Sequence, residues 1–230
     1  MREAELLAGI PLFSRVPHEH LLGLVDLLRR RRYTAGETIF TQGDPGAAMY
    51  VVEAGRVKIG LTSPDGREII LALLGPRDFF GELALFDGRP RSADATARAT
   101  TDLLILNRDD FIRCVAAQPQ LALNALHAIS GRLRRTDQII ADAVFLDVPT
   151  RVARLLLDLS TRDDVRHDPQ GVVLGPGLTQ TDLANMLGAT RESINKGLRD
   201  YEEQGILRRG RGRITILDLD ALRREGSSGG

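Results

Sequence analysis

At 230 residues, the chain is long enough for one large or two medium domains, each with its own core. Its 31 basic and 31 acidic residues cancel, so bulk charge favours no partner and any nucleic-acid surface has to be local. The single Cys114 excludes an intramolecular disulfide and a cysteine-rich metal or iron–sulfur site, and neither a signal peptide nor a run of membrane-spanning length is present, so the expected compartment is the cytoplasm, with no membrane partner.

Residues 4–30 read as helical, with an apolar patch broken by Pro11 and Pro17. From Tyr33 the pattern changes. Short apolar runs at Thr38 to Phe40, Met49 to Val52, Val57 to Leu61, Ile69 to Leu74 and Leu103 to Leu106 alternate with turns at Gly43-Asp44, Glu53-Ala54-Gly55 and Asp65-Gly66. Asp-Gly between apolar runs signals a hairpin, and closely spaced strands of this kind predict a small antiparallel barrel or roll.

Within that region, Phe80-Gly81-Glu82-Leu83-Ala84-Leu85-Phe86 is followed by Pro90-Arg91-Ser92-Ala93. Gly81 lets the backbone approach a ligand, and the residues after it can form a short helix whose first N–H groups face an anion. Glu82 suits sugar hydroxyls and Arg91 offers a planar fork for phosphate. Together they are what a buried cyclic phosphate needs. Cys114 lies in the next helical stretch and reads as a small core residue.

From Pro119 to Leu146 the period is helical. Ala122, Leu126, Ile129, Leu133, Thr136, Ile140 and Ala143 recur at spacings of 4, 3, 4, 3, 4 and 3, a heptad seam. A symmetric homodimer is the simplest partner for such a stripe, and packing on the chain's own barrel is the alternative. Asp147-Val148-Pro149 interrupts the helix and marks a domain boundary. Arg151, Val152, Leu155, Leu156 and Leu159 then outline another amphipathic helix, and Thr161 to Gln170 reads as a surface loop.

Thr179 is suited to cap a helix with Asp182 three residues on, Leu183 and Leu187 face a core, and Gly188 ends that helix. Thr190 caps a second helix with Ile194, Leu198 and Tyr201 buried. Its other face carries Arg191, Glu192, Ser193, Lys196 and Arg199. Helix, glycine turn, helix is the geometry of major-groove readers; Arg191 and Lys196 suit guanine and Glu192 suits cytosine N4. After Gly205, residues 206–216 read as a two-stranded wing, whose Arg208, Arg209, Arg211 and Arg213 suit phosphate. The helices alone would also describe a helical hairpin with solvated charges; the arginine-rich hairpin favours DNA.

These constellations, in this order and joined by a heptad helix, resemble the cyclic AMP receptor protein (catabolite activator) family of bacterial transcription regulators over roughly residues 8 to 220. Phe145-Leu146-Asp147-Val148 is similar to that family's hinge, and Thr190 to Lys196 to its recognition helix. The resemblance implies an α+β fold. Residues 1–118 would form a cyclic-nucleotide-binding β-roll and 119–147 a dimerisation helix with hinge. Residues 148–225 would form a winged helix-turn-helix, and 226–230 a flexible tail. It implies cyclic AMP as allosteric ligand, with cyclic GMP left open. Gly81, Arg91 and Ser92 would hold the cyclic phosphate, and Leu83 would also line the ligand. Glu82, supported by Arg132, would bind the ribose. Thr136 would meet adenine at the dimer interface. Asp137 stands where the best-known members have Ser, which changes the charge there. Thr179 and Gln180 would touch phosphates, as would Arg209 and Arg211. Arg191, Glu192, Ser193, Lys196 and Arg199 would face DNA with half-sites similar to TGTGA. Double-stranded DNA, a second copy of the chain and RNA polymerase are the implied partners.

A metal, haem or iron–sulfur cluster is not expected, because His18, His20, His127 and His167 are scattered and cysteines are lacking. Nor is an enzyme: no nucleophile–base pair, metal-ligand set or glycine-rich loop after a strand stands at motif spacing. Two other readings stay open. One is a nucleotide-independent regulator of the same family. The other is a cyclic-nucleotide-binding regulatory subunit of a partner enzyme, which the winged helix-turn-helix disfavours.

Overall fold

A computed structural model describes residues 2–162, 165–175, 177–210 and 212–227. The chain divides into two compact units, one up to Arg134 and one from Arg135 onward. Among the described residues, no helix is long and apolar enough to cross a membrane.

The first unit begins with helix α1 (Arg2–Ala8), a 3-10 turn (Pro11–Phe13) and helix α2 (His18–Val25). Two four-stranded antiparallel sheets follow. One has the order β1 (Arg29–Tyr33), β8 (Thr101–Asn107), β3 (Ala48–Ala54), β6 (Phe79–Phe80). The other has the order β2 (Thr38–Phe40), β7 (Asp94–Ala97), β4 (Val57–Thr62), β5 (Glu68–Leu74). Tyr33, Val52, Val57, Phe80, Ala95, Ala97 and Leu103 form the core of this β-roll. The short helix expected after Gly81 is α3 (Glu82–Asp87).

A second core joins α1 and α2 to Met49, Val51, Leu104 and Leu106 of the first sheet. It takes in Phe111 of α4 (Arg108–Ala117) and Leu121 and Ala125 at the start of α5 (Gln120–Phe145). Cys114 packs against it, half-buried. Asn124 is buried there. Its Nδ2 donates to the carbonyls of Leu12 (3.1 Å) and Ser14 (2.6 Å), and its Oδ1 accepts from Gln120 (3.0 Å). That side chain fixes the first turn of α5 to the N-terminal segment. Farther along, residues of the heptad seam are exposed: within the first unit Leu126 and Leu133 are each 60% exposed, so the roll does not cover them, and within the second unit Ile140 is 58% exposed.

The helix breaks where expected, and Asp147 caps α6 (Val148–Ser160) by accepting from the Thr150 N–H. Val152, Leu156 and Leu159 are buried. Behind α6 come β9 (Arg166–Asp168), β10 (Gly171–Leu174), α7 (Gln180–Leu187) and α8 (Arg191–Glu203). The wing is β11 (Leu207–Gly210) and β12 (Arg213–Ile216), and α9 (Leu219–Ser227) closes the unit. The sheet order is β11, β12, β10, β9.

Four sequence expectations need correction. Residues 29 and 30 are not helical; they open strand β1, whose Arg30 and Arg32 form two-bond ion pairs with Glu53 and Asp102. Strands β6 and β7 escaped notice, one too short and the other built on alanines. The stretch read as a surface loop contains β9, all of it exposed, paired to β10. Gly226 and Ser227, expected in a flexible tail, are helical because the Gly226 carbonyl accepts from Arg154 Nε at 2.8 Å and that residue packs on α6.

Asn124→Ala removes the donor from two carbonyls and should lower stability by roughly 1–3 kcal/mol. Urea unfolding followed by circular dichroism checks this.

Candidate ligand site and nucleic-acid interface

In the first unit the site is built around a buried cation. Arg91 is only 5% exposed. Its Nη1 donates to the Gly81 carbonyl at 2.8 Å, and its guanidinium carbon lies 4.3 Å from the Phe40 ring centroid and 5.4 Å from that of Tyr50. Phe40, Tyr50 and Phe80 form one aromatic cluster, with Tyr50 and Phe80 stacked 5.1 Å apart. Buried Nε of Arg91 has no hydrogen-bond partner. Burial pulls the Arg91 pKa below its ordinary value, against the opposing pull of Tyr50, Glu82 and Asp44.

Glycine is required twice around this side chain. Gly81, between β6 and α3, sits at φ +76°, and an added Cβ would stand 2.6 Å from Arg91 Nη1 and 3.3 Å from the Tyr50 ring. A Cβ on Gly46 would overlap that of Ala84 at 2.3 Å. The loop carrying Gly46 is stitched to Arg91 through its backbone, since Arg91 N–H donates to Asp44 and Gly43 N–H to Arg91.

Glu82 opens α3 and is 2% exposed. Arg132 of α5 donates to it at 2.5 Å, donates also to the Phe79 carbonyl, and lies 4.6 Å over the Phe79 ring. The structure thus brings Gly81, Glu82, Arg91 and Arg132 together. Leu83 and Ser92 are exposed beside them in sequence. Thr136 and Asp137 are exposed on α5 and belong to the second unit, Thr136 one helical turn beyond Arg132. Phe40, Gly46, Tyr50 and Phe79 were not foreseen. Only the aromatic residues of the predicted strands offered a signal.

In the second unit α7 has the full capping box. Thr179 Oγ1 accepts from Asp182 N–H at 3.0 Å, while the Asp182 carboxylate accepts from Thr179 N–H (2.9 Å) and hydroxyl (2.8 Å). Both polar groups of Thr179, a candidate phosphate contact, are therefore engaged in the cap. Gly188 ends α7 in the left-handed region and Thr190 caps α8. Ile194, Gly197, Leu198 and Tyr201 are buried, and Gly197 lets α8 approach Pro149 at the start of α6. Arg191, Glu192, Lys196 and Arg199 are exposed, whereas the Ser193 hydroxyl pairs with that of Thr190 at 2.8 Å.

A cleft of about 240 Å³ separates this helical pair from the wing, lined in part by Thr179, Gln180, Thr181, Arg191, Arg209 and Arg213. Of its lining, Arg209 is paired with Glu202 (2.7 Å); outside the cleft, Arg208 donates to Gln170 (2.8 Å). Arg211 lies outside the described residues. Arg213, one of the wing arginines suited to phosphate, is exposed at this cleft.

Residues 30–118 match the cyclic nucleotide-binding domain and residues 150–225 the Crp-like helix-turn-helix domain. The chain is 36% identical over 220 residues to the CRP-like cAMP-activated global transcriptional regulator of Mycobacterium tuberculosis, covering 96% of this chain and 98% of that protein. It is 35% identical over 216 residues to the cyclic AMP receptor protein of Thermus thermophilus, covering 93% and 95%. A similar solved structure is that of the c-di-GMP responsive global regulator CLP of Xanthomonas campestris, with a TM-score of 0.74, 25% identity, and coverage of 88% of this chain and 100% of that one.

Gly81→Ala places a Cβ against the Arg91 guanidinium on a left-handed backbone. It should cost on the order of 1–3 kcal/mol, read as a lower thermal unfolding midpoint for the first unit.

Proposed function

The chain belongs to the cyclic AMP receptor protein family of cyclic-nucleotide-binding transcription regulators, and from that premise we propose that it is a homodimer that binds DNA sequence-specifically in response to cyclic AMP. One observation carries the ligand reading: a buried guanidinium whose Nε has no partner, beside a buried carboxylate. A buried cation is costly until an anion joins it, and a cyclic phosphate supplies that anion.

In this reading Arg91 and the Gly81 backbone hold the phosphate, with Leu83 and Ser92 at its edge. Glu82, oriented by Arg132, accepts from the ribose hydroxyl. Thr136 and Asp137 meet the purine. The exposure of the α5 seam supports a dimer in which it pairs with that of a second copy. Arg191, Glu192 and Lys196 read bases in TGTGA-like half-sites of a palindrome, Ser193 and Arg199 flank them, and Gln180 and the wing meet phosphate. Ligand shifts the hinge at Asp147 only by binding its two states unequally. RNA polymerase is the further partner and the cytoplasm the compartment. On this reading residues 1–118, 119–147 and 148–225 divide the work into ligand binding, dimerisation and DNA binding. The likeness to a c-di-GMP responsive regulator supports a second reading, in which a cyclic dinucleotide occupies the phosphate site.

A fluorescent palindromic duplex, titrated at one salt concentration with cyclic AMP, cyclic GMP, cyclic di-GMP or no nucleotide, separates these readings. Cyclic AMP alone should tighten binding; nucleotide-independent tight binding removes the switch. Arg91→Ala should lose about 1.5–3 kcal/mol of nucleotide affinity, roughly 10- to 150-fold. Unchanged affinity sinks the site assignment. Arg191→Ala should cost roughly 1–3 kcal/mol on the palindrome and relax preference at one base pair, seen by comparing single-base variants of the duplex.

A further inference from the structure

Resting on the DNA-binding reading, we infer that Glu202 is a positioning residue that ties the wing to α8 through Arg209, which serves as a tether and not as a phosphate contact, and that Arg213 is a phosphate ligand of the wing. Glu202 lies in the last turn of α8. Its Oε1 accepts from the Arg209 backbone N–H at 2.9 Å and its Oε2 from Arg209 Nε at 2.7 Å. Those bonds, the backbone one foremost, hold the Glu202 carboxyl below the usual carboxylate range.

β11 is the edge strand of its sheet, so the N–H groups on its open side have no strand to bond. Glu202 satisfies one of them and in doing so ties the wing to the recognition helix. Arg209 and Glu202 together carry no net charge. A phosphate approaching Arg209 would also approach a carboxylate, and the pair offers DNA little counterion release.

Arg213 differs in each respect. It is exposed, and it lines the same cleft as Arg191 and Gln180. It faces Gly210 across the hairpin, and its stem lies where a Gly210 side chain would stand, 3.2 Å from the position of that Cβ. The bare glycine thus gives Arg213 its bed. Among the described residues no carboxylate neutralises it. Arg191 and Arg213 therefore put charge on two sides of one cleft, from the helix and from the wing.

The test is the slope of log affinity against log salt for the full chain, on a random-sequence duplex and on the palindrome with saturating cyclic AMP. Arg213→Ala should reduce the slope by about 0.9 on both duplexes, and Arg213→Lys should restore it. Arg209→Ala should weaken the palindrome complex severalfold without changing the slope. Glu202→Ala should weaken it likewise, although it deletes a negative charge. Glu202→Gln, whose amide oxygen still accepts from Arg209 N–H, should recover much of the loss. The inference is overturned if Glu202→Ala tightens binding and steepens the slope, since Arg209 would then be a phosphate ligand held in reserve. It is equally overturned if Arg213→Ala leaves the slope alone. Wild-type protein that binds neither duplex would instead remove the DNA-binding reading itself. The lysine and glutamine variants keep the comparison readable should an alanine variant fail to fold.

Discussion

A guanidinium taken out of water is the constraint on which the first unit depends. Removing a cation from solvent costs several kcal/mol unless partners replace the water. Arg91 receives one carbonyl, two aromatic faces and distant carboxylates, which leave Nε unsatisfied. The surroundings are shaped to make even this possible. Gly81 and Gly46 remove side chains that would collide with Arg91 or its neighbours, and Asp44 and Gly43 hold its backbone. Such an arrangement is poor as a way to stabilise a fold. It makes sense as a site whose last partner arrives from outside.

The N-terminal core fixes where α5 starts, and that in turn places Arg132 at the site. Leu121, Asn124 and Ala125 bury its first turns in the N-terminal core, and two turns on from Ala125 Arg132 reaches Glu82. Past Arg134 the helix belongs to the second unit, where Arg135 pairs with Asp158 and Asp142 with Arg154 of α6. The exposed Arg135–Asp158 pair contributes little by itself, while Arg154–Asp142 is partly buried. Their effect is geometric, because both join α5 to α6 across the break capped by Asp147. Within the first unit α5 thus supplies the partner of the Glu82 carboxylate, and within the second unit it is anchored to α6.

What could be read from the sequence was local. The caps at Thr179 and Thr190, the turns at Gly81, Gly188 and Gly205 and the wing all rest on contacts within a few residues, so residue type and spacing reveal them. Strand β1 could not be found that way. Its residues 29–32 are four exposed arginines, and what makes it a strand is pairing with β8 plus carboxylates 23 and 70 residues distant from Arg30 and Arg32. In β7, Ala95 and Ala97 are small because the core between the sheets leaves no more room, a reason invisible without the second sheet. The lining of the ligand site was hidden for the same cause: Phe40, Tyr50 and Phe79 come from three different strands.

Equal numbers of basic and acidic residues also mean that the role of an arginine cannot be taken from its identity. Arg30, Arg32 and Arg209 have carboxylates within 3 Å and serve the fold. Arg91 is buried among rings with one nitrogen unsatisfied, and Arg213 stands at a cleft with no carboxylate to neutralise it among the described residues. A polyanion or a cyclic phosphate competes poorly for the first group, since each contact would have to displace a charge already in place. It meets the second group without that cost. In a chain of zero net charge, recognition of anions thus depends on cations that the fold leaves uncompensated, and Arg91 and Arg213 are two of these among the described residues.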